Sequence, residues 1–155
     1  MYARTKPTVT ASADVRRVMV WPVATVETTA TLAETAEALA ADEVGALCVT
    51  EDGRLAGIIS ERDVVTHVAA GADLSHLTAG EVMSGDLVTV SPDDTVIEAA
   101  RRMQDGQVRH LPVLDDGQIA GIVSIRDLFS VLVDESHDPE VVVVRSGTKV
   151  MVVDE

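Results

Sequence analysis

The sequence predicts an α/β (α+β) fold made of two consecutive β-α-β-β-α repeats, followed by a C-terminal β-hairpin. Three observations predict it. The chain repeats itself at a constant offset of 64 residues: Val18–Val64 aligns without a gap on Val82–Leu128, with 18 of 47 positions identical. Each copy places a Thr three residues ahead of a Glu at the head of an apolar helical stripe, the mark of a capped helix (Thr31/Glu34 and Thr95/Glu98). Each copy also sets Asp-Gly between two apolar runs, a strong hairpin signal (Asp52-Gly53 and Asp116-Gly117). A repeat of this regularity is one supersecondary unit used twice. About 50 residues bury too little surface to stand alone, so the two copies are expected to fold together.

The elements follow in order. Residues 1–13 carry neither the helical nor the strand period and are expected to form a flexible N-terminal arm. The first repeat covers 14–70. Thr25-Val26 ends a short extended piece, and Thr31 caps a helix whose face is Leu32, Ala36, Leu39 and Ala40. Ala46 to Thr50 reads as a buried strand and Leu55 to Ile59 as its return partner. A second helix starts near Glu61 and runs to about Ala70. Residues 71–79 form a linker, within a connector that has Gly71 and Gly80 at its ends. The second repeat, 80–133, has the same order: a helix capped by Thr95 with Val96, Ala100 and Met103 on its face, strands His110 to Leu114 and Ile119 to Val123, and a helix from about Arg126 to Val133. In the tail, 134–155, Val141 to Val144 and Lys149 to Val153 flank Ser146-Gly147 as a hairpin. So Val-rich a hairpin must pack on the body or on a second copy of the chain.

Composition narrows the function. The net charge is −14, which repels nucleic acid and anionic membranes. One Trp, one Tyr and one Phe leave no aromatic platform for stacking bases of single-stranded nucleic acid. Cys48 is the single cysteine, so no intramolecular disulfide forms. With no apolar signal core and no apolar run near ~20 residues, a cytoplasmic protein is expected.

The recurring polar residues are the site candidates. Ser60 and Asp63, and again Ser124 and Asp127, sit where a return strand meets a helix N-terminus. Such ends leave N–H groups unpaired and attract phosphate, while the carboxylate can accept two bonds from a ribose diol. Ser followed three residues later by an acid is also an ordinary helix cap, and both readings stand. Arg62 and Arg126 recur beside them, either to reach a phosphate or to form surface ion pairs. Arg109 and His110 occur only in the second copy, where the first has Gly45 and Ala46; they either neutralise an anion or divide between solvent and core. Thr25 and Thr89 precede the capped helices, as strand-end residues with a local bond.

Catalysis is not expected: neither serine lies in a nucleophile elbow. No metal is expected, since His67, His76, His110 and His137 lack ligand spacing. Cys48, in the slot of Pro112, reads as core, and Asp93-Asp94 and Asp115-Asp116 read as solvated turns.

The tandem order of elements, Val-Met near each start, Thr-Val before each capped helix, Gly57-Ile-Ile-Ser-Glu-Arg-Asp63 against Gly121-Ile-Val-Ser-Ile-Arg-Asp127, and Arg109-His-Leu-Pro-Val113 together resemble the CBS domain, named after cystathionine β-synthase. The resemblance covers roughly residues 14–133. It implies two repeats paired about a pseudo-two-fold axis, acting as a regulatory module rather than an enzyme, with a role in energy sensing. It implies an adenine nucleotide (AMP, ADP or ATP) or S-adenosylmethionine as regulatory ligand in the cleft between the repeats, with no cofactor required. Ser60 and Asp63 would serve one site and Ser124 and Asp127 the other, with the backbone around Thr25 and Thr89 lining the base pocket. A homodimer is implied through the helices after Ser60 and Ser124, on Val64, Val65, Val68, Leu128, Val131 and Leu132, often stacked as a flat disc. The change from Gly45-Ala46 to Arg109-His110 predicts two unequal sites. The alternative is a ligand-free scaffold whose Val-rich tail binds an unknown protein partner by strand addition.

Overall fold

A computed structural model describes residues 12–42, 44–134, 144–146 and 149–151. A short 3-10 turn, Val15–Arg17, precedes the first repeat. Then come β1 (Thr25–Glu27), α1 (Leu32–Asp42), β2 (Ala46–Glu51), β3 (Arg54–Ser60) and α2 (Glu61–Ala69). A four-residue helix α3 (Ala79–Val82) leads into the second repeat, with α4 (Val96–Gly106), β4 (His110–Asp115), β5 (Gln118–Ser124) and α5 (Ile125–Asp134). In the tail, β6 (Val144–Ser146) pairs antiparallel with β7 (Lys149–Met151), Arg145 opposite Val150. Residues 1–11 of the expected arm, and Val141–Val143, Gly147, Val152 and Val153 of the expected hairpin, lie outside the described residues.

Local chemistry sets these elements. The N–H of Thr31 donates to Glu34 Oε2 at 2.8 Å and the N–H of Glu34 to Thr31 Oγ1 at 3.1 Å, a full capping box. Both hairpins turn on paired left-handed residues, Asp52 (φ 50) with Gly53 (φ 75) and Asp116 (φ 49) with Gly117 (φ 78). Two successive positive φ values suit the twist of the flanking strands, and Asp-Gly adopts them at low cost. In the first repeat the sheet order is β1-β2-β3. β1 lies parallel to β2, with Thr25 opposite Cys48, and β2 lies antiparallel to β3. In the second repeat β4 and β5 form the hairpin, and the counterpart of β1 shrinks to one parallel bridge, Val90 to Val113. Pro112 stands where the first copy has Cys48, and a proline has no N–H to give to a neighbouring strand.

Packing groups the chain into two units. One holds the described residues up to Val20 with Val88–Val113 and those from Ile122 on; the other holds Trp21–Leu87 with Leu114–Gly121. Packed unit and sequence repeat are thus different objects, because each repeat's lead-in joins the other repeat's core. The Val20 N–H donates to the Ile122 carbonyl at 2.8 Å, and 64 residues along, the Ser84 N–H donates to the Ile58 carbonyl at 3.0 Å. The Val15 N–H donates to the Asp94 carbonyl at 2.8 Å, matched by Ala79 to Ala30 at 2.7 Å. Identical bonds at both ends of the repeat show the exchange to be part of the fold.

The core of the second unit is Leu32, Leu39, Leu47, Val49, Ile59 and Ala79. In the other unit Val15, Val90, Val96, Ala99, Met103, Leu111, Val113, Val123, Leu128 and Val131 are buried. Cys48 lies fully buried in β2, and burial pushes its thiol up to about 11. At about pH 8 native protein is therefore expected to react with a maleimide far more slowly than the unfolded chain. Equal rates would contradict the placement of Cys48.

Five expectations change. On α1 the third core position is Thr35, not Ala40, which is exposed; the Thr35 hydroxyl is satisfied by the Thr31 carbonyl at 2.9 Å, so burial costs little. On α4 Ala99 replaces Ala100 at the centre of the buried face. The Thr95 cap keeps half of its box: the N–H of Glu98 donates to Thr95 Oγ1 at 3.2 Å, but the Glu98 carboxylate turns to Arg102 at 3.1 Å. The connector is not wholly irregular, since Thr78 and Glu81 form a second full box that starts α3. Asp93 and Asp94 are not simply solvated: Asp93 meets Arg16 at 2.7 Å, and Asp94 accepts from the Ser91 N–H at 2.8 Å.

Candidate functional site

Each repeat ends its hairpin by feeding a strand into a helix, and the junction is built the same way twice. In the first copy the N–H of Ser60 donates to Asp63 Oδ2 at 2.8 Å, and the N–H of Asp63 donates to Ser60 Oγ at 3.4 Å. In the second the N–H of Ser124 donates to Asp127 Oδ2 at 2.8 Å and the N–H of Asp127 to Ser124 Oγ at 3.1 Å. The helix-cap reading of Ser-x-x-Asp therefore holds at both junctions. The cap does not exhaust the aspartates. Their bonds run through Oδ2, and among the described residues Oδ1 of Asp63 and of Asp127 accepts no protein hydrogen bond. Both aspartates are half-buried.

The backbone donors of the first turn are partly used as well. The Glu61 N–H donates to the Gly45 carbonyl at 3.0 Å and the Ile125 N–H to the Arg109 carbonyl at 2.8 Å. These bonds tie each helix start to the head of the neighbouring strand, β2 or β4. The N–H groups of Arg62 and Arg126, at the second helical position, have no intrahelical acceptor by geometry and meet no other backbone carbonyl among the described residues. Each junction thus leaves one carboxylate oxygen and one N–H donor uncommitted among the described residues, beside the positive end of a helix dipole. It can accept from a diol and donate to an anion.

The other candidates fall into two groups. Thr25, Ser60, Arg62 and Asp63 belong to one unit, and Thr89, Arg109, His110, Ser124, Arg126 and Asp127 to the other. Arg62 and Arg126 are exposed and form no ion pair among the described residues, so the surface-pair reading finds no support there. Arg109 is exposed and His110, the first residue of β4, is half-buried; both residues have an interaction partner. Thr25 is exposed on β1. The Thr89 carbonyl accepts from Arg102 at 2.7 Å.

The expected association face needs correction. Leu128 and Val131 are buried and not presented outward, and Val64 is half-buried against the core. Val65 and Val68 on α2 are 64% and 55% exposed. The Leu132 side chain lies outside what is described. His67 occupies the slot of Val131 and donates from Nδ1 to the Asp63 carbonyl at 2.8 Å.

Two features escaped the sequence reading. The Thr78/Glu81 box repeats the Thr-x-x-Glu pattern of the other caps, but Gly80 inside it spoke for a loop. Arg102 had a signal in its spacing of four from Glu98, which marks a helical ion pair; its reach to Thr89 had none.

Among the described residues, no group of three or more His, Cys, Asp or Glu could hold a metal, and no helix is long and apolar enough to cross a membrane. Two tandem α+β repeats with exchanged lead-ins and Ser-x-x-Asp junctions define a duplicated α+β module. The CBS domain family model matches residues 6–70 and 79–134, and the chain belongs to that family. CBS domain proteins are generally regulatory rather than catalytic.

Among relatives, the CBS domain-containing protein YhcV of Bacillus subtilis is 34% identical over 115 residues, 74% of this chain and 82% of that one. The chain spans 55% and 35% of the length of two further curated relatives. The CBS domain protein PAE2072 from Pyrobaculum aerophilum, solved in complex with AMP, is 31% identical. It matches 74% of this chain and 88% of its own, with a TM-score of 0.69. The CBS domain pair of MJ0100, solved with 5′-methylthioadenosine and S-adenosylmethionine, is 25% identical over 77% and 94% of the two chains, with a TM-score of 0.71.

Proposed function

We propose that the protein is a regulatory module that binds an adenine nucleotide (AMP, ADP or ATP) at its strand-to-helix junctions and signals by a change of conformation or assembly. The observation that carries this reading is the duplicated junction, in which the cap uses one aspartate oxygen and leaves the other, with one helix N–H, without a hydrogen-bond partner among the described residues. Asp63 and Asp127 accept from the ribose diol through Oδ1. Ser60 and Ser124, the N–H groups of Arg62 and Arg126, and their guanidinium groups hold the phosphate. Arg109 adds positive charge to the second site and His110 an imidazole, and the backbone at Thr25 and Thr89 borders the base. The AMP seen in the Pyrobaculum protein and the adenosine compounds seen with MJ0100 support this ligand class. The exposed Val65 and Val68 supply the surface for a homodimer.

Thermal unfolding tests the reading. AMP at about 100 times its dissociation constant adds about 2.7 kcal/mol of stability, and about 2–4 °C per kcal/mol then raises the melting temperature by about 5–11 °C. No shift with AMP, ADP, ATP or S-adenosylmethionine would leave a ligand-free interaction scaffold. A native mass spectrum of the purified protein reads the oligomer mass and any retained nucleotide together.

A further inference from the structure

We infer that Arg102 is a positioning residue for the second ligand site and a source of inequality between the two sites. The first copy holds its Thr25 segment as a strand: β1 pairs with β2 over three residues. The second copy has Pro112 in place of Cys48, and the Thr89 segment keeps one parallel bridge, with the Val90 N–H donating to the Pro112 carbonyl at 3.1 Å. Arg102 supplies a second hold. From α4 its NH1 donates to the Thr89 carbonyl at 2.7 Å, while the same guanidinium meets Asp94 Oδ2 at 3.3 Å and Glu98 Oε1 at 3.1 Å. The two carboxylates fix the guanidinium from both sides, and a fixed planar fork loses little freedom in holding a third acceptor.

The first copy cannot build this clamp. Ala38 stands at the position of Arg102 and Ala30 at that of Asp94; only Glu34 matches. Thus the same segment is held by sheet hydrogen bonds in one copy and by a charged side chain in the other. Thr89, Ser124 and Asp127 belong to one unit, joined through the Val90–Val113 bridge and the bond from the Ile125 N–H to the Arg109 carbonyl. A shift of the Thr89 segment therefore reaches the second site and bypasses Thr25, Ser60 and Asp63. This inference rests on the adenosine-ligand reading, because it assigns the clamp a part in binding.

The experiment combines two readouts on Arg102→Ala and Arg102→Lys. Amide exchange without ligand reports the clamp: the Val90 amide is expected to exchange about tenfold faster in Arg102→Ala. Arg102→Lys keeps the charge with fewer donors and should fall between wild type and Ala. AMP titration is then done in Asp63→Asn protein, which keeps the second site, and in Asp127→Asn protein, which keeps the first. Adding Arg102→Ala is expected to weaken AMP about tenfold in the former, the scale of one hydrogen bond, and to leave the latter unchanged. Unchanged Val90 exchange overturns the clamp. Faster exchange with equal AMP affinity in both backgrounds also overturns the proposal, since Arg102 is then structural only. If wild-type protein takes up no adenosine ligand, the assigned part in binding falls with that reading, and the exchange data still decide whether the clamp exists.

Discussion

Gly57→Val is expected to lower the melting temperature by about 6–12 °C, from ~3 kcal/mol of overpacking at about 2–4 °C per kcal/mol. Gly57 lies in β3, where the chain from Met83 to Ser84 crosses it. A Cβ built on Gly57 would meet Met83 Sδ directly, Met83 Cγ at 2.8 Å and the Ser84 carbonyl oxygen at 2.9 Å. The methionine side chain can move aside. The carbonyl cannot, because the Ile58 N–H donates to it at 3.2 Å and the Ser84 N–H returns a bond to the Ile58 carbonyl at 3.0 Å. These two bonds carry the lead-in exchange in this unit, so the added side chain must break them or strain β3. Gly85→Ala is the control: nothing lies within 4 Å of its added Cβ, and a change within about 0.5 kcal/mol is expected. Equal melting temperatures for Gly57→Val and Gly85→Ala would show that the crossing is not held as described.

Much of this was legible in the sequence, for a physical reason that differs by element. The hairpins were readable because Asp-Gly dictates its own backbone angles, and both turns have them. The helix starts were readable because Thr31 and Thr95, like Ser60 and Ser124, act on N–H groups three residues away, a local bond that local sequence encodes. The lead-in exchange was not readable. Val20 meets Ile122 and Ser84 meets Ile58, and nothing in residues 18–20 marks which of two similar strands will receive them. The helix faces were right to one position. Thr35 went unseen because a polar residue becomes a core residue when its own helix satisfies the hydroxyl. The junction residues were found by their recurrence. What recurrence left open, cap or ligand, the geometry answers in part: the cap is made, and one oxygen of each aspartate is left over.

That leftover oxygen sets the largest expected effect on binding. Asp63→Asn with Asp127→Asn together is expected to cut the stability gained from AMP from about 2.7 kcal/mol to about 0.4–1.4 kcal/mol at the same AMP concentration, while the ligand-free melting temperature stays near wild type. The two roles of each aspartate separate under this change. The cap needs one oxygen to accept from the Ser60 or Ser124 N–H, at 2.8 Å in both junctions, and an amide oxygen can still accept there. The ribose diol donates to the other oxygen in the proposed complex, where asparagine presents an NH2 donor in place of a charged acceptor. Losing a charge-assisted bond removes about 1.5–3 kcal/mol, or roughly tenfold to a hundredfold in affinity per site. Alanine at either position also removes the bond that the carboxylate accepts from the Ser60 or Ser124 N–H, while the serine still caps the helix, and should cost about 1 kcal/mol of stability without ligand. If the aspartates served only in the capping box, alanine would still lower the ligand-free melting temperature, but neither asparagine nor alanine would change the AMP shift. A double asparagine variant that still gains about 2.7 kcal/mol from AMP at a hundred times its dissociation constant would place the nucleotide elsewhere on the chain.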